Sequence, residues 1–245
     1  MEFSKDSKEF LEQSADLYHN DIVKGWEKLY HMKRERMFQT LKKWHVGKKG
    51  LELGSADGIM TQKLCSEFEE LTVIDGSELF LDQLLKKVQS PNIKVVCSLF
   101  EEYSTNEKYD TIFMTHILEH LDDPTLVLKK AKEWLSEKGR IIIAVPNANS
   151  LHRLIGVKMG MLEKTDSLNS QDIKLGHRRV YSPDLLKQHV TDAGLRVVHF
   201  GGQMIKPLSN RQIEEQWSDE QIKAFFDLGD DMPEYCSEIF LIAEK

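Results

Sequence analysis

Three side chains in one short run have the types and spacing for proton or metal chemistry. They are His116, Glu119 and His120, within Thr115-His116-Ile117-Leu118-Glu119-His120-Leu121. At positions i, i+3 and i+4, one helical turn would put two imidazoles and a carboxylate on one face. That set suits a divalent cation, and His177 from a later segment could close it. The same residues also offer a general base, His116, His120 or His177, without any metal. A plainer reading stands beside both: the Glu and His of such a run hydrogen-bond their own loop. Arg178 and Arg179 follow His177. Their planar forks suit an anionic substrate group, and suit equally well an ion pair that anchors the segment.

A second constellation is more specific. Leu51-Glu52-Leu53-Gly54-Ser55-Ala56-Asp57-Gly58 places two glycines where a short apolar run gives way to a helical pattern. Glycines at a strand-to-helix turn let the backbone approach a ligand and present its amides. The next apolar run ends in Asp75-Gly76, about twenty residues after Gly54, where a carboxylate can accept two ribose hydroxyls. A nicotinamide site would carry GxGxxG to make room for a pyrophosphate, and Ala56 stands at that second glycine. S-adenosylmethionine has no phosphate, and Glu52 suits its cationic side. The spacing therefore favours that cofactor over a dinucleotide.

These residues need a scaffold, and the alternation of patterns supplies one. Apolar runs at 51–53, 71–74, 93–97, 111–114 and 140–145 alternate with helical patterns near 59–68, 78–88 and 124–136. Such alternation reads as βαβ units on a parallel sheet. Asp123 can cap the third helix, Pro124 suits its first turn, and Gly139 is expected to close it. Residues 147–181 break the pattern and read as a substrate-side insertion or lid. Ser182-Pro183 opens a further helix that Gly194 closes. Runs at 195–200 and 239–243 add two strands, with a helix between them from a Ser218/Gln221 capping box to Gly229. Residues 5–45 read as two amphipathic helices whose Tyr18, His19, Tyr30 and Arg34 could cover the cofactor.

The bulk numbers agree with one soluble domain. The 245 residues are 40% hydrophobic and 30% charged, with a net charge of -7 from 33 basic and 40 acidic residues. That balance disfavours a nucleic-acid partner. Three scattered cysteines, no signal-like start and no membrane-length apolar run lead us to expect a cytoplasmic protein without disulfides. The oligomeric state is not legible.

Residues 48–146 resemble the core of class I S-adenosylmethionine-dependent methyltransferases. The Leu118-Glu119-His120-Leu121-Asp122-Asp123-Pro124 run is similar to the branch containing ubiquinone-pathway O-methyltransferases. Val145-Pro146-Asn147 and His177-Arg178-Arg179-Val180-Tyr181-Ser182-Pro183 extend the likeness to sugar and surface-glycan methyltransferases. The resemblance implies a doubly wound, Rossmann-like α/β fold of seven strands in the order 3-2-1-4-5-7-6, the last antiparallel. It places Glu52, Gly54, Ser55 and Gly58 on the methionine side, Asp75 and Gly76 at the ribose, and Ser98 and Leu99 beside the adenine. Thr115 and His116 would face the transferable methyl. Related enzymes carry E-x-x-E-H, a cation site, where this chain has His116 in the first place. The implied activity is O-methylation of a small polar or anionic acceptor, such as a sugar or nucleotide-linked glycan intermediate. N-methylation of an amino sugar, RNA-end methylation and a non-catalytic cofactor-binding subunit are the alternatives.

Overall fold

The computed structural model describes residues 24–245, and they form one seven-stranded sheet flanked by helices. The strands are β1 (Lys49–Leu53), β2 (Glu70–Asp75), β3 (Ile93–Cys97), β4 (Tyr109–Thr115), β5 (Leu135–Pro146), β6 (Arg196–Ile205) and β7 (Cys236–Glu244). Their order is 3-2-1-4-5-7-6. β7 runs antiparallel to both neighbours and the first five strands are parallel. This is the doubly wound methyltransferase architecture that the resemblance implied.

Alternation along β5 shows why the sheet sits between two layers. Ile141, Ile143 and Val145 pack with α4 (Pro124–Trp134) and α7 (Pro183–Asp192), in one core with Val127, Leu128, Leu186 and Val190. Ile142 and Ala144 face the other way. They join a core with α1 (Glu27–Leu41), α2 (Ile59–Leu64) and α3 (Glu78–Lys87), through Met37, Leu41, Leu64 and Leu84. A period of two along a strand covered on both faces gives this split. α8 (Asn210–Gln216) and α9 (Asp219–Asp231) add a satellite core of Met204, Ile213, Ile222 and Phe226 against Leu29 of α1.

Several boundaries differ from the sequence reading. Among the described residues the N-terminal part holds one α-helix, α1, followed by a 3-10 turn at Lys42–Trp44; Tyr18 and His19 lie outside the described residues. α2 stops at Leu64 because the Ser66 hydroxyl takes the Lys63 carbonyl at 2.7 Å and the Asn92 amide takes that of Cys65 at 2.9 Å. Gly139 closes no helix. It lies inside β5, where Leu135 pairs with Tyr109 and Arg140 already pairs with Thr111, so the residues between bulge outward. Gly229 does not stop α9 either. The helix runs on to Asp231, and a Cβ at Gly229 would lie 2.9 Å from the Met204 amide nitrogen. α8 was not anticipated, although Ser209 and Gln212 form a capping box at its start.

The insertion carries α5 (Leu151–Lys158) and α6 (Ser170–Lys174), and rejoins the sheet edge through a single bridge between Asn147 and Tyr181. No helix among the described residues is long and apolar enough to cross a membrane. The three cysteines are free.

Candidate active site

The β1–α2 turn is a tight backbone cradle. Gly54 takes φ 79° and Gly58 φ 77°. At Gly54 two demands coincide, since a Cβ there would also lie 2.3 Å from Ile117 Cδ1. The Gly54 amide donates to the Ile74 carbonyl at 2.8 Å, which fixes the cradle to β2. Asp75, at the end of β2, accepts the Ser55 amide at 2.8 Å and the Ser55 hydroxyl at 3.0 Å through Oδ2. Its Oδ1 accepts the Ser77 amide at 3.0 Å. Asp75 thus ties the cradle to the start of α3, a task the sequence did not show. Burial pushes its pKa up against those hydrogen bonds. Gly76 is half-buried beside it. The Ser98 amide donates to the Asp75 carbonyl at 3.0 Å and its hydroxyl to the Leu99 carbonyl at 2.9 Å, so both residues border Asp75.

Glu52 lies on β1 opposite Val73 and Phe113, only 1% exposed. Its Oε2 has no hydrogen-bond partner among the described residues, and burial raises its pKa to about 8. A buried, half-satisfied carboxyl beside a glycine cradle fits a cationic ligand, whose charge would offset the desolvation. α1 reaches the same cradle. Tyr30 donates its hydroxyl to Asp57 Oδ2 at 2.5 Å, and the Arg34 guanidinium lies 5.0 Å from the Tyr30 ring centre.

The end of β4 forms the opposite wall. Thr115 is its last residue, and His116 leaves the strand with φ 58° while its amide still bonds the Ala144 carbonyl at 2.8 Å. The helical spacing expected for residues 116–120 is not what forms. They make a turn, with the His120 amide on the Ile117 carbonyl at 3.0 Å, and the helix begins only at Pro124. Pro124 excludes the helical region for Asp123, which caps α4 instead by accepting the Leu126 amide at 2.9 Å.

The turn still gathers the polar side chains. His116 Nδ1 stands 3.3 Å from Glu119 Oε1, and its Nε2 faces Glu238 Oε2 at 3.8 Å. Glu119 is fully buried with neither oxygen hydrogen-bonded among the described residues. Burial alone would raise its pKa, but His116, His120 and His177 around it hold it below the ordinary value. Burial depresses His120 to about 4, against the pull of Glu119. Its ring meets that of His177 edge-on at 4.9 Å. Donor atoms of Glu119, His120 and His177 all lie within 4.8 Å of one another, so these three form a cation-sized cluster. His116 is outside that cluster: the four residues divide into three plus one.

The insertion delivers His177. The Arg178 amide donates to the Glu119 carbonyl at 2.8 Å, and Asp172 of α6 lies 3.1 Å from His177 Nδ1. Asp172 is held at about 2, as His177, the Asn169 amide and Arg153 outweigh its burial. Arg178 Nε donates to the His120 carbonyl at 3.0 Å and pairs with Asp122 at 2.8 Å. Arg179 spreads over the carbonyls of Leu118, Leu121 and Asp122. The anchoring reading therefore describes both arginines in this structure. Their guanidiniums serve the loop's own carbonyls, and that of Arg178 also the Asp122 carboxylate.

Sequence reasoning missed Glu238 and Lys33, whose Oε1 and Nζ are 2.5 Å apart. Nothing local marks them. Glu238 meets His116 because β7 inserts beside β5, and Lys33 reaches Glu238 from α1.

The description "Methyltransferase domain" is that of the family model matching residues 26–200. The ubiquinone biosynthesis O-methyltransferase of Aeromonas salmonicida is 28% identical over 172 residues, 67% of this chain and 70% of that protein. The (S)-coclaurine N-methyltransferase of Papaver somniferum is 30% identical over 64 residues, 26% of this chain and 18% of that protein. Among solved structures, a Thermotoga maritima methyltransferase described as a possible histamine N-methyltransferase aligns with TM-score 0.66 at 15% identity, covering 97% of this chain and 98% of that one. The N-methyltransferase NodS of Bradyrhizobium japonicum, solved with S-adenosyl-L-homocysteine, aligns with TM-score 0.56 at 18% identity over 96% of each chain. At such identities the structural likeness shows the fold, while the family match spans most of the chain. With the glycine cradle and the acidic strand ends in place, this chain belongs to the methyltransferase domain family and is an S-adenosylmethionine-dependent methyltransferase.

Proposed function

We propose that the enzyme methylates an oxygen of a small polar acceptor, with a sugar or nucleotide-linked glycan intermediate as the leading class. The observation that carries this reading is the His116–Glu119 contact at 3.3 Å, at the strand end facing the cofactor cradle. An alcohol must lose its proton as it takes the methyl group, and an imidazole held by a carboxylate is suited to accept it. Glu52, Gly54, Ser55 and Gly58 bind the methionine side of the cofactor. Asp75, Gly76, Ser98 and Leu99 take the ribose and adenine. Thr115 lines the methyl position. Similarity to ubiquinone biosynthesis O-methyltransferases supports oxygen as the acceptor atom.

A cation-assisted version is favoured by a specific observation. Glu119, His120 and His177 supply one carboxylate and two imidazoles, and both oxygens of the buried Glu119 lack hydrogen bonds among the described residues. Asp172 at His177 Nδ1 orients that ring so that Nε2 is the ligating nitrogen, as carboxylates do behind metal-bound histidines. The set fits a divalent cation, which would lower the pKa of an acceptor hydroxyl.

Labelled S-adenosylmethionine offered with sugars, nucleotide sugars, phenols and amino sugars tests the reading. Label on hydroxyl acceptors is expected. Label confined to amino sugars would replace it with N-methylation, and binding without transfer to any acceptor would point to a non-catalytic subunit.

A further inference from the structure

The carboxyl edge of the sheet carries a buried polar box that the methyl-transfer chemistry does not use. Register pairs Pro146 with Glu238 and Glu238 with Gln203, a single row across β5, β7 and β6. α1 crosses this row: Lys33 pairs with Glu238, and the Gln203 side-chain amide donates to the Lys33 carbonyl at 2.7 Å. One residue beyond β6, Lys206 is only 8% exposed, and its ammonium bonds the neutral Asn210 Oδ1 at 2.8 Å. From the insertion, His152 and Arg153 lie within the field of Lys206, and Ser150, fully buried, precedes them at the start of α5.

The charges in this box do not balance. Lys33 has Glu238, and Arg153 has Asp172 at 3.1 Å. Lys206 has no ion-pair partner among the described residues; burial, with Lys33 and Arg153, lowers its pKa to about 7 against the pull of Glu238, so only a counter-ion would keep it fully charged at neutral pH. Hydrogen bonding does not balance either. Ser150 Oγ, His152 Nδ1, Gln203 Oε1 and His116 Nε2 are all buried without a hydrogen-bond partner among the described residues. Folded interiors pair nearly all such atoms, and a buried ammonium without a counter-ion is costly. Burial and the neighbouring cations keep His152 neutral, at about 2, so it can donate one N–H but carries no charge of its own. A buried amine that needs a counter-ion to stay protonated, with an imidazole N–H donor within its field, matches an oxyanion.

We propose that Lys206, with Ser150 and His152, binds an oxyanion of the methyl acceptor, a phosphate or a carboxylate, and so seats the acceptor against His116. The occupant rests on the methyltransferase reading; the anion site itself does not. His116 touches the box through Glu238, which is why an anchored acceptor would present its nucleophile there.

The test titrates inorganic phosphate, and separately acetate, into the full chain saturated with adenosylhomocysteine, at constant ionic strength made up with chloride. Saturating the cofactor site removes its methionine carboxylate as a competitor. At least one anion should raise the thermal midpoint saturably by several degrees, and the stronger one tells phosphate from carboxylate. Lys206→Met removes a buried amine and frees only the half-buried Asn210 Oδ1, and it should abolish the rise. Ser150→Ala should shrink it, which keeps the test open if the first variant unfolds. No saturable effect of either anion on the wild type, or an undiminished rise in both variants, overturns the proposal. Calorimetry with adenosylhomocysteine on the wild type is read separately. Failure there would sink the cofactor reading, while the anion titration repeated without cofactor would still decide the box.

Discussion

His116 Nδ1 and Glu119 Oε1 stand 3.3 Å apart, brought together by a turn that His116 opens with a left-handed backbone. A non-glycine residue at φ 58° costs of order 1 kcal/mol and persists where its surroundings over-determine it. Here the Ala144 carbonyl holds the amide, and the two carboxylates Glu119 and Glu238 flank the ring. The strained strand end sets the imidazole between these two carboxylates.

His116→Gln keeps the size of the side chain and removes the base. Turnover should fall about 10²–10⁴-fold, with adenosylhomocysteine affinity nearly unchanged, because general-base loss spares the cofactor pocket. Steady-state rates and calorimetry on the same preparations check this. A parallel loss of cofactor affinity would move His116 from the chemistry to the binding wall.

Asp75 ties the cradle to α3 and, in the proposed reading, also takes the ribose. Its three hydrogen bonds to Ser55 and Ser77 are charge-assisted, worth roughly 1.5–3 kcal/mol each. Asp75→Ala should weaken adenosylmethionine binding by well over tenfold and lower the melting point. Ser55→Ala, which loses only the hydroxyl bond, should do less of both. Unchanged cofactor affinity in Asp75→Ala would remove this residue from the site.

Glu52 predicts a pH dependence. Burial lifts its pKa from 4.5 to about 8, so in the empty protein it holds a proton at neutral pH. The unfolded chain has lost that proton above 4.5. The native state therefore binds more protons between 4.5 and 8, and this group's contribution to stability declines as pH rises through that window. A cationic ligand favours the carboxylate, so cofactor binding should expel a proton and tighten with rising pH until about 8. Calorimetry in buffers of different ionisation enthalpy measures the proton. Glu52→Gln should abolish its release, and a wild-type affinity flat across this range would contradict the assignment.

What could be read in advance followed the range of the interactions. The cradle and Asp75 were legible because they lie about twenty residues apart on adjacent strands, within one βαβ unit. The strands showed because residues such as Ile141–Val145 alternate between two cores. Gly139 and Gly229 misled, since a glycine that stops a helix and one that makes room for a neighbour look alike in sequence. Gly229 of α9 makes room for Met204, which lies on β6. Glu238, Lys33 and Lys206 were invisible for a stronger reason. Their proximity is a product of β7 slotting antiparallel between β5 and β6, and no local spacing encodes it.

The cluster of Glu119, His120 and His177 yields the last prediction. His120 is neutral at working pH because burial holds it near 4, and neutral imidazole is the form that ligates. Glu119 stays ionised because the three histidines offset its burial, which leaves a carboxylate facing two imidazoles. A chelator should then slow turnover, and added divalent cation should restore it, while adenosylhomocysteine binding holds steady. Asp172→Asn separates ligation from simple proton transfer. It weakens the orienting contact at His177 Nδ1 without touching His116, so it should raise the cation concentration needed for half-maximal rate, by roughly 10–100-fold for an outer-shell carboxylate. Arg153 also leans on Asp172, so the variant's melting curve must be read with the rates. If chelator leaves the rate untouched and Asp172→Asn changes only stability, the cluster is a structural clasp between insertion and loop. The chemistry then rests on His116 alone.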